Sequence, residues 1–177
     1  MKKVLLIILV LIVAISYFNG QAEEILIPEN AIRFRVIANS NTYEDQALKM
    51  KVRDALQADL YFLLKDTKTE EEASQLIESS IPAFSKTIEQ VLQGSNQTFQ
   101  INYGMNYFPE KVYKGVKYAD GDYQSLVVTL GEGKGDNWWC VLFPPLCLLE
   151  AEETEETTEV EYQFFVKELI DQFFGND

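Results

Sequence analysis

Both cysteines and both tryptophans of the chain lie in one short stretch, GDNWWCVLFPPLC, from Gly135 to Cys147. Two cysteines separated by six residues can form a structural disulfide, remain free buried thiols, or act as a redox pair, although a redox pair usually has the Cys-x-x-Cys spacing. A disulfide between Cys140 and Cys147 would close an eight-residue ring, whose backbone Pro144 and Pro145 already restrict. In an exported protein the disulfide is the favoured state.

The large apolar side chains around this ring are the candidate partner-binding residues. They are more numerous than a tight loop can bury within itself, so they either pack on a sheet or stay exposed as the anchor of a protein contact, where Trp is over-represented. The candidates are Trp138, Trp139, Phe143, Pro144 and Pro145.

The composition argues against several kinds of catalytic site. The chain has no histidine, which removes Ser-His-Asp and Cys-His activation and the commonest zinc ligand. Its 28 acidic residues single out no acid/base pair, and the Asp-Thr-Gly or Asp-Ser-Gly signature of aspartic proteases is missing. The sequence therefore predicts no catalytic residue, no metal site and no cofactor.

Two loops resemble ligand-binding motifs but are interpreted as turns. Gly131–Gly135 is rich in glycine and contains a lysine, yet no Ser or Thr follows the lysine, as a phosphate-binding loop would require. Asp120–Asp122 lacks the twelve-residue frame of a calcium loop, and Asp-Gly is an ordinary hairpin pair.

The net charge is −13, and removal of Lys2 and Lys3 with a leader would make it −15. Nucleic acid and anionic lipid headgroups both favour clustered Lys and Arg. We therefore expect no nucleic-acid partner and no electrostatic binding to such lipids.

Residues 1–22 have the organisation of a secretory signal peptide. A basic start precedes the fifteen-residue apolar run Val4–Phe18, and Gly20 and Ala22 fit the small-residue requirement for cleavage before Glu23. The alternative is an uncleaved membrane anchor, although the run is shorter than the about 20 residues that span a hydrocarbon core. Under either interpretation the rest of the chain is predicted to lie outside the cytoplasm.

The first half predicts a strand followed by helices. Ile32–Val36 alternates apolar and basic residues with a period of two, which is typical of a strand with one buried face. Thr42 with Asp45, and Thr69 with Glu72, each have the spacing of a helix N-terminal cap.

Pro82 is expected to interrupt the second helix, because proline removes a backbone donor. It also suits the first turn of a third helix that would stop at Gly94. The first half therefore predicts two or three helices.

The second half has β character. Four runs rich in aromatic and β-branched residues are separated by Gly, Asn, Asp and Pro. They are Thr98–Tyr103, Phe108–Tyr113, Asp122–Leu130 and Trp139–Phe143.

The C-terminal part predicts an acidic, solvated linker at residues 150–159 and an amphipathic helix at residues 160–177. We expect the helix to dock on the domain, because the acidic run makes anionic lipid an unfavourable host, but the leader or this helix could bring the chain close to a membrane. The predicted apolar stripe contains Tyr162, Phe165, Val166, Leu169, Ile170 and Phe173.

Together these patterns predict a single α+β domain over residues 23–149. It would have an N-terminal strand, two or three helices and a mainly antiparallel sheet, with a tethered C-terminal amphipathic helix. A chain of about 155 residues after removal of the leader is long enough for one such core.

Two blocks of the sequence resemble the hallmark blocks of the stage II sporulation protein R family of endospore-forming bacteria. They are IRFRVIANSNTYEDQALKMKVRDAL, Ile32–Leu56, and GDYQSLVVTLGEGKGDNWWCVLFPPLCLL, Gly121–Leu149. The C-terminal FFVKELIDQFF is similar to the closing helix of the family.

The resemblance implies a signalling role without catalysis. Members are made in the forespore and exported into the space between its two surrounding membranes. There they activate a membrane-embedded aspartic protease of the mother cell, which cleaves pro-sigma-E. An exported carboxylate-dependent hydrolase and a cell-wall-binding module are the alternatives, the latter compatible with an aromatic platform at Trp138 and Trp139.

Overall fold

The computed structural model describes residues 25–147 and 158–175. The predicted leader, its cleavage after Ala22, and all but the last two residues of the predicted linker lie outside these ranges. No helix within them is long and apolar enough to cross a membrane.

The described elements form one mixed α+β domain, which confirms the predicted fold class. In chain order they are β1 (Ile25–Leu26), β2 (Ile32–Ile37), α1 (Tyr43–Leu64), α2 (Glu70–Val91), β3 (Phe99–Phe108), β4 (Lys111–Tyr113), β5 (Val116–Tyr118), β6 (Gly121–Leu130), β7 (Asn137–Phe143) and α3 (Glu159–Phe174).

The central sheet has the strand order β3-β6-β2-β7. β2 pairs in parallel with β6, with Arg35 opposite Val127, whereas its pairing with β7 is antiparallel, with Arg35 opposite Trp139. β3 and β6 are also antiparallel. The predicted antiparallel character is therefore confirmed for two of the three pairings in this sheet, and the parallel pairing is a feature that the sequence did not indicate.

Two long helices cover one face of the central sheet. Each begins at a predicted cap: the Thr42 hydroxyl accepts from the backbone N–H of Asp45, and the Thr69 hydroxyl accepts from that of Glu72. β2 contributes alternate residues to the core beneath them, and Phe34 is fully buried there. This helix-covered face holds the larger of the two buried clusters.

Pro82 does not interrupt α2, so the predicted break is wrong. The helix runs without interruption through the proline. Pro82 and Glu78, whose carbonyl loses its intrahelical partner, both lie on the exposed side, where water can solvate the free carbonyl. Ile77 and Phe84 continue the buried stripe across this point, and their packing outweighs the local preference for a break.

The other face of the central sheet is covered by a small sheet of order β1-β5-β4 and by α3. Tyr162 of α3 is 1% exposed, and its hydroxyl lies 2.9 Å from that of Tyr118 in β5. Val166 is fully buried in the same cluster. The predicted docking of the C-terminal helix is thus confirmed, although Phe165, expected on the buried stripe, is 45% exposed.

Several strand boundaries differ from the prediction. The run Phe108–Tyr113 is divided, because Phe108 ends β3 and β4 begins only at Lys111, after a proline that has no backbone donor. β1 and β5 were not predicted, since elements of two or three residues are too short to display alternation.

Candidate functional site

Trp138 and Trp139 lie on the edge strand β7 and point to opposite faces of the central sheet, because successive side chains of a strand alternate. Trp138 and Cys140 pack with the cluster beneath the helices. Trp139 and Val141 pack with the cluster beneath the small sheet and α3. The aromatic platform that a cell-wall-binding module would need at Trp138 and Trp139 is therefore divided between two faces.

Trp138 is half-buried on the helix-covered face. Its ring meets the Phe34 ring edge-on, with centroids 5.7 Å apart, and the Arg53 guanidinium of α1 lies 5.1 Å from its centroid. Both contacts fix the indole against the rigid core rather than leaving it free in solvent.

Trp139 is half-buried on the opposite face, between two cations. Its centroid lies 5.2 Å from the guanidinium carbon of Arg33 and 5.1 Å from the Lys111 ammonium. Edge-on contacts with Phe108 and Tyr118 hold the ring in place. Trp139 therefore packs between the buried Arg33 and Lys111 of β4.

Arg33 is a fully buried cation on this small-sheet face. It stacks 3.4 Å from the Tyr123 centroid, and its Nη2 donates to the Ala119 carbonyl at 3.2 Å. Within the described part of the chain its Nε and Nη1 have no hydrogen-bond partner. Burial lowers the pKa of Arg33 from 12.5 to about 10.

The burial of Arg33 corrects the expectation that β2 has only one buried face. The alternating basic residues indicated a solvent-exposed face, but both faces of this central strand are covered. Arg35, also on the small-sheet face, lies 3.7 Å from the Phe108 centroid, and its Nη2 donates to the Tyr107 carbonyl at 2.8 Å. Aromatic rings and carbonyls thus replace the carboxylates that would normally accompany buried arginines.

A groove of about 220 Å³ runs along β7 beside the two tryptophans. Its lining on β7 is confined to the beginning of the strand, Asn137 to Cys140, whereas the rest of β7 is buried. The facing wall comes from β4 and β5. The lining residues are Lys111, Tyr113, Tyr118, Asn137, Trp138, Trp139 and Cys140.

Cys140 and Cys147 form a disulfide, with their Cα atoms 5.6 Å apart. This is the favoured of the three states that the sequence allowed. The ring is largely internal: Phe143 is 2% exposed, Pro144 is buried after a cis peptide bond, and Pro145 is half-buried.

Phe143 contacts the end of α3 rather than the surface. Its ring meets those of Phe173 and Phe174 edge-on, with centroids 5.0 Å and 6.0 Å away. The predicted partner-binding residues therefore separate into an interior group, Phe143 and Pro144, and a solvent-accessible group, Trp138, Trp139 and Pro145. A direct contact with a partner stays a prediction for all five.

The glycine-rich loop 131–135 is a turn between β6 and β7, as predicted. Its backbone N–H groups are already used: Gly133 donates to Leu130, Gly135 to Ala38, and Glu132 to the Asn39 side chain. No set of amides remains here to hold a phosphate.

A polar corner joins this turn to the start of α1. The Asp45 carboxylate accepts from Ser40 Oγ at 2.5 Å, Asn39 Nδ2 at 2.9 Å and Gln97 Nε2 at 3.1 Å. The Ser40 and Asn39 hydrogen bonds hold the pKa of Asp45 below its usual value. The polar side chains of this cluster form hydrogen bonds with one another, so the cluster stabilises the fold.

No part of the described chain gathers three His, Cys, Asp or Glu side chains as a metal site would. The groove beside Trp138 and Trp139 is a concave surface of the described chain at which aromatic side chains and a lysine meet.

The chain matches a known protein family over most of its length. The family described as Stage II sporulation protein R matches residues 28–153, which include both sides of the groove. This protein belongs to the stage II sporulation protein R family.

The family assignment supports a role in sporulation and agrees with the resemblance found in the sequence. The chain is 37% identical over 145 residues to Stage II sporulation protein R of Bacillus subtilis, a match that covers 81% of this chain and 65% of the relative. No solved structure matches the chain.

Sequence reasoning missed Lys111, Tyr113 and Tyr118, the far wall of the groove. They lie in two three-residue strands whose partnership with β7 is purely tertiary. The available signal was the aromatic content of YFPEKVYKGVKY, which predicts β structure but gives no indication of which surface it faces.

Proposed function

We propose that this chain is an exported signalling protein that activates a membrane-embedded aspartic protease and thereby starts the maturation of pro-sigma-E. It acts in the space between forespore and mother cell, and it has no catalytic role of its own. Membership of the stage II sporulation protein R family is the observation that carries this proposal.

The groove along β7 supports a binding role for the chain. Four aromatic side chains and one lysine make up most of its lining, together with Asn137 and Cys140. Its volume of about 220 Å³ is below the range of roughly 300–1,000 Å³ that is typical of small-molecule sites. Half-buried tryptophans held by a rigid core are common anchors of protein contacts. The groove and its half-buried tryptophans support the proposal that the receptor contacts the chain at the beginning of β7, where Trp138 and Trp139 lie.

A binding protein can activate its receptor by shifting the equilibrium between the receptor's inactive and active conformations. The protease would exist in inactive and active conformations, and the chain would bind the active one more tightly. Equal affinity for both conformations would shift nothing, so the signal depends on contacts that only the active conformation completes.

The test is reconstitution in cells that lack all other sporulation proteins. The protease and pro-sigma-E are expressed with and without the full chain, directed to the outer side of the membrane. We expect cleaved sigma-E only when the chain is present. Cleavage that is independent of the chain, or its absence when all three proteins are folded, would refute the proposal.

A second measurement separates this proposal from a hydrolase. The purified chain, incubated with peptidoglycan and peptide substrates, should release no product, and it should not be retained on a peptidoglycan column. Turnover or retention would favour the enzyme or the cell-wall module instead.

A further inference from the structure

The outer edge of β3 is a free edge of the central sheet. In the strand order β3-β6-β2-β7 the strand that pairs with β3 is β6. Nine of the ten residues of β3 are at least partly exposed, and Phe108, the last residue of the strand, is the buried one. This edge is therefore accessible over most of its length.

The phase of the ladder shows which backbone groups of β3 point outward. The Gly131 N–H donates to the Thr98 carbonyl at 2.8 Å, so the residue before β3 belongs to a hydrogen-bonded pair. Because such pairs alternate along an antiparallel ladder, the N–H and C=O groups of Phe99, Ile101 and Tyr103 point away from β6. Within the described part of the chain no group forms a hydrogen bond with them, so a further strand can use them.

The composition of β3 does not protect this edge from pairing. Natural edge strands are commonly protected by Lys, by Pro or by a very short length. The sequence of β3, FQINYGMNYF, is ten residues long and contains neither a charged residue nor a proline. Met105 and Tyr107 are 64% and 58% exposed near its end. β3 therefore meets the conditions for pairing with another chain.

The helix α2 borders the free edge on the helix-covered face. α2 packs over β3, whereas α1 packs over β2. Thr87 of α2 donates to Asp59 of α1 at 2.6 Å, so this side of α2 faces the other helix. Ser74 of α2 accepts from the Tyr103 hydroxyl of β3 at 2.9 Å. The Ser74 side of α2 therefore faces the edge of the sheet.

Two glutamates lie on the Ser74 side of α2. Glu70 precedes Ser74 by four residues and Glu78 follows it by four, and this spacing places all three on one side of a helix. Burial raises the pKa of Tyr103, and the charges of Glu70 and Glu78 raise it further, in agreement with their position near the edge. The free edge is thus bordered by carboxylates on this face.

A second copy of the chain does not fit this edge. Pairing of β3 with itself would bring the acidic sides of two α2 helices together, and each chain has a net charge of −13. A segment that carries Lys or Arg would be attracted to the same position. The charge at the border therefore favours a cationic occupant.

We propose that the outer edge of β3 binds an extended segment of a partner protein that carries Lys or Arg at every second position. The cations would lie on the helix-covered face beside Glu70 and Glu78, and polar side chains would lie on the other face beside the exposed Gln100 and Asn102. Main-chain hydrogen bonds to residues 99–103 would supply affinity. Because β3 and β7 are opposite edges of the sheet, this inference does not rest on the proposed receptor contact.

Amide hydrogen exchange of the full chain in detergent micelles, measured by NMR for each residue, tests the pairing. The probes are two short blocked peptides, one of alternating Lys and Thr and one of alternating Glu and Thr. With the Lys-Thr peptide in excess we expect slower exchange at Phe99, Ile101 and Tyr103. Exchange at Gln100 and Asn102 should not change, because their amides already bond to β6. The Glu-Thr peptide should change none of these amides.

A charge reversal tests the cations separately. Glu78→Lys should raise the Kd of the Lys-Thr peptide by about threefold or more, because a repulsion replaces an attraction between exposed charges. Glu168→Lys is the matched control, since it makes the same change of charge at an exposed residue of α3, which covers the other face of the central sheet. It should leave the Kd within about twofold.

Three results would overturn the inference. Absence of protection by the Lys-Thr peptide, or protection without the period of two, would exclude an added strand. Equal effects of Glu78→Lys and Glu168→Lys would show that net charge alone attracts the peptide. Protection of the same amides in the free chain, together with a dimer in sedimentation, would identify a second copy as the occupant.

Discussion

The two faces of the central sheet differ in the residues that they bury, although the same strands form both faces. The helix-covered face holds a large apolar cluster centred on Phe34, whereas the small-sheet face holds Arg33, Arg35 and a smaller cluster. Buried cations with unpaired N–H groups contribute little to stability. We infer that the helix-covered face contributes most of the stability, and that the groove lies where the beginning of β7 meets the small sheet.

The largest expected effect is on the helix-covered face. Phe34→Ala removes a fully buried ring and its edge contact with Trp138. It should lower the free energy of unfolding by about 3–5 kcal/mol, the usual cost of a cavity of this size. Urea denaturation measures this directly, and a loss below about 1 kcal/mol would show that the face can collapse around the cavity.

Trp139→Ala should cost less stability and more signalling. The indole is half-buried, so we expect a loss of about 2–3 kcal/mol, below the range for a fully buried tryptophan. The domain should remain folded, while activation of the protease falls further than the folded fraction does. Thermal melts and processing assays in parallel separate the two effects.

Activity that merely follows the unfolded fraction of Trp139→Ala would remove the distinction between the faces. Trp138→Ala is measured alongside Trp139→Ala, because it removes the same type of side chain from the helix-covered face of the same strand.

The disulfide ring lies between these regions and should have an intermediate effect. Cys140→Ser combined with Cys147→Ser opens an eight-residue ring, which should lower the free energy of unfolding by about 2.5 kcal/mol. A folded domain should remain, with α3 less protected from hydrogen exchange, because Phe143 contacts Phe173 and Phe174. Unchanged protection of α3 would show that the ring does not anchor this helix.

The smallest effect is expected at the polar corner and depends on pH. Hydrogen bonds from Ser40 and Asn39 lower the pKa of Asp45, so its stabilising contribution is present above the unfolded value and is lost as the pH falls through the lower folded value. Asp45→Asn should therefore be less stable than the wild type at neutral pH, and the difference should shrink below about pH 4.

The control for Asp45→Asn is Asp54→Asn, which removes the same charge from the same helix and breaks only an exposed ion pair with Arg53. Its effect on the free energy of unfolding at neutral pH should be small, because exposed ion pairs contribute little. A difference between Asp45→Asn and the wild type that does not change with pH would contradict the role assigned to Asp45.

The sequence was sufficient to predict the helix starts and strands that depend on interactions between residues close together in the chain. The caps at Thr42 and Thr69 and the strand from Ile32 were predicted because each depends on residues a few positions apart. The break at Pro82 was wrong because tertiary packing of α2 outweighed a local preference. The parallel pairing of β2 with β6 has no local signature.

The site was predictable only in part, for the same reason. The two tryptophans and the disulfide could be predicted because rare residues lie together in one stretch. The predicted strand began at Trp139. Had it included Trp138, the alternation of side chains along a strand would have placed the two tryptophans on opposite faces. Lys111 and Tyr118 could not be assigned to the groove, because they reach it through two short strands.

The most direct test of the account compares pro-sigma-E processing by the wild-type chain, Lys111→Glu and Lys134→Glu in the reconstituted cells, at equal amounts of folded protein. The account predicts full processing with the wild type and Lys134→Glu, and strongly reduced processing with Lys111→Glu at an unchanged melting temperature. Equal processing by all three chains would contradict the assignment of the β7 groove as the signalling surface.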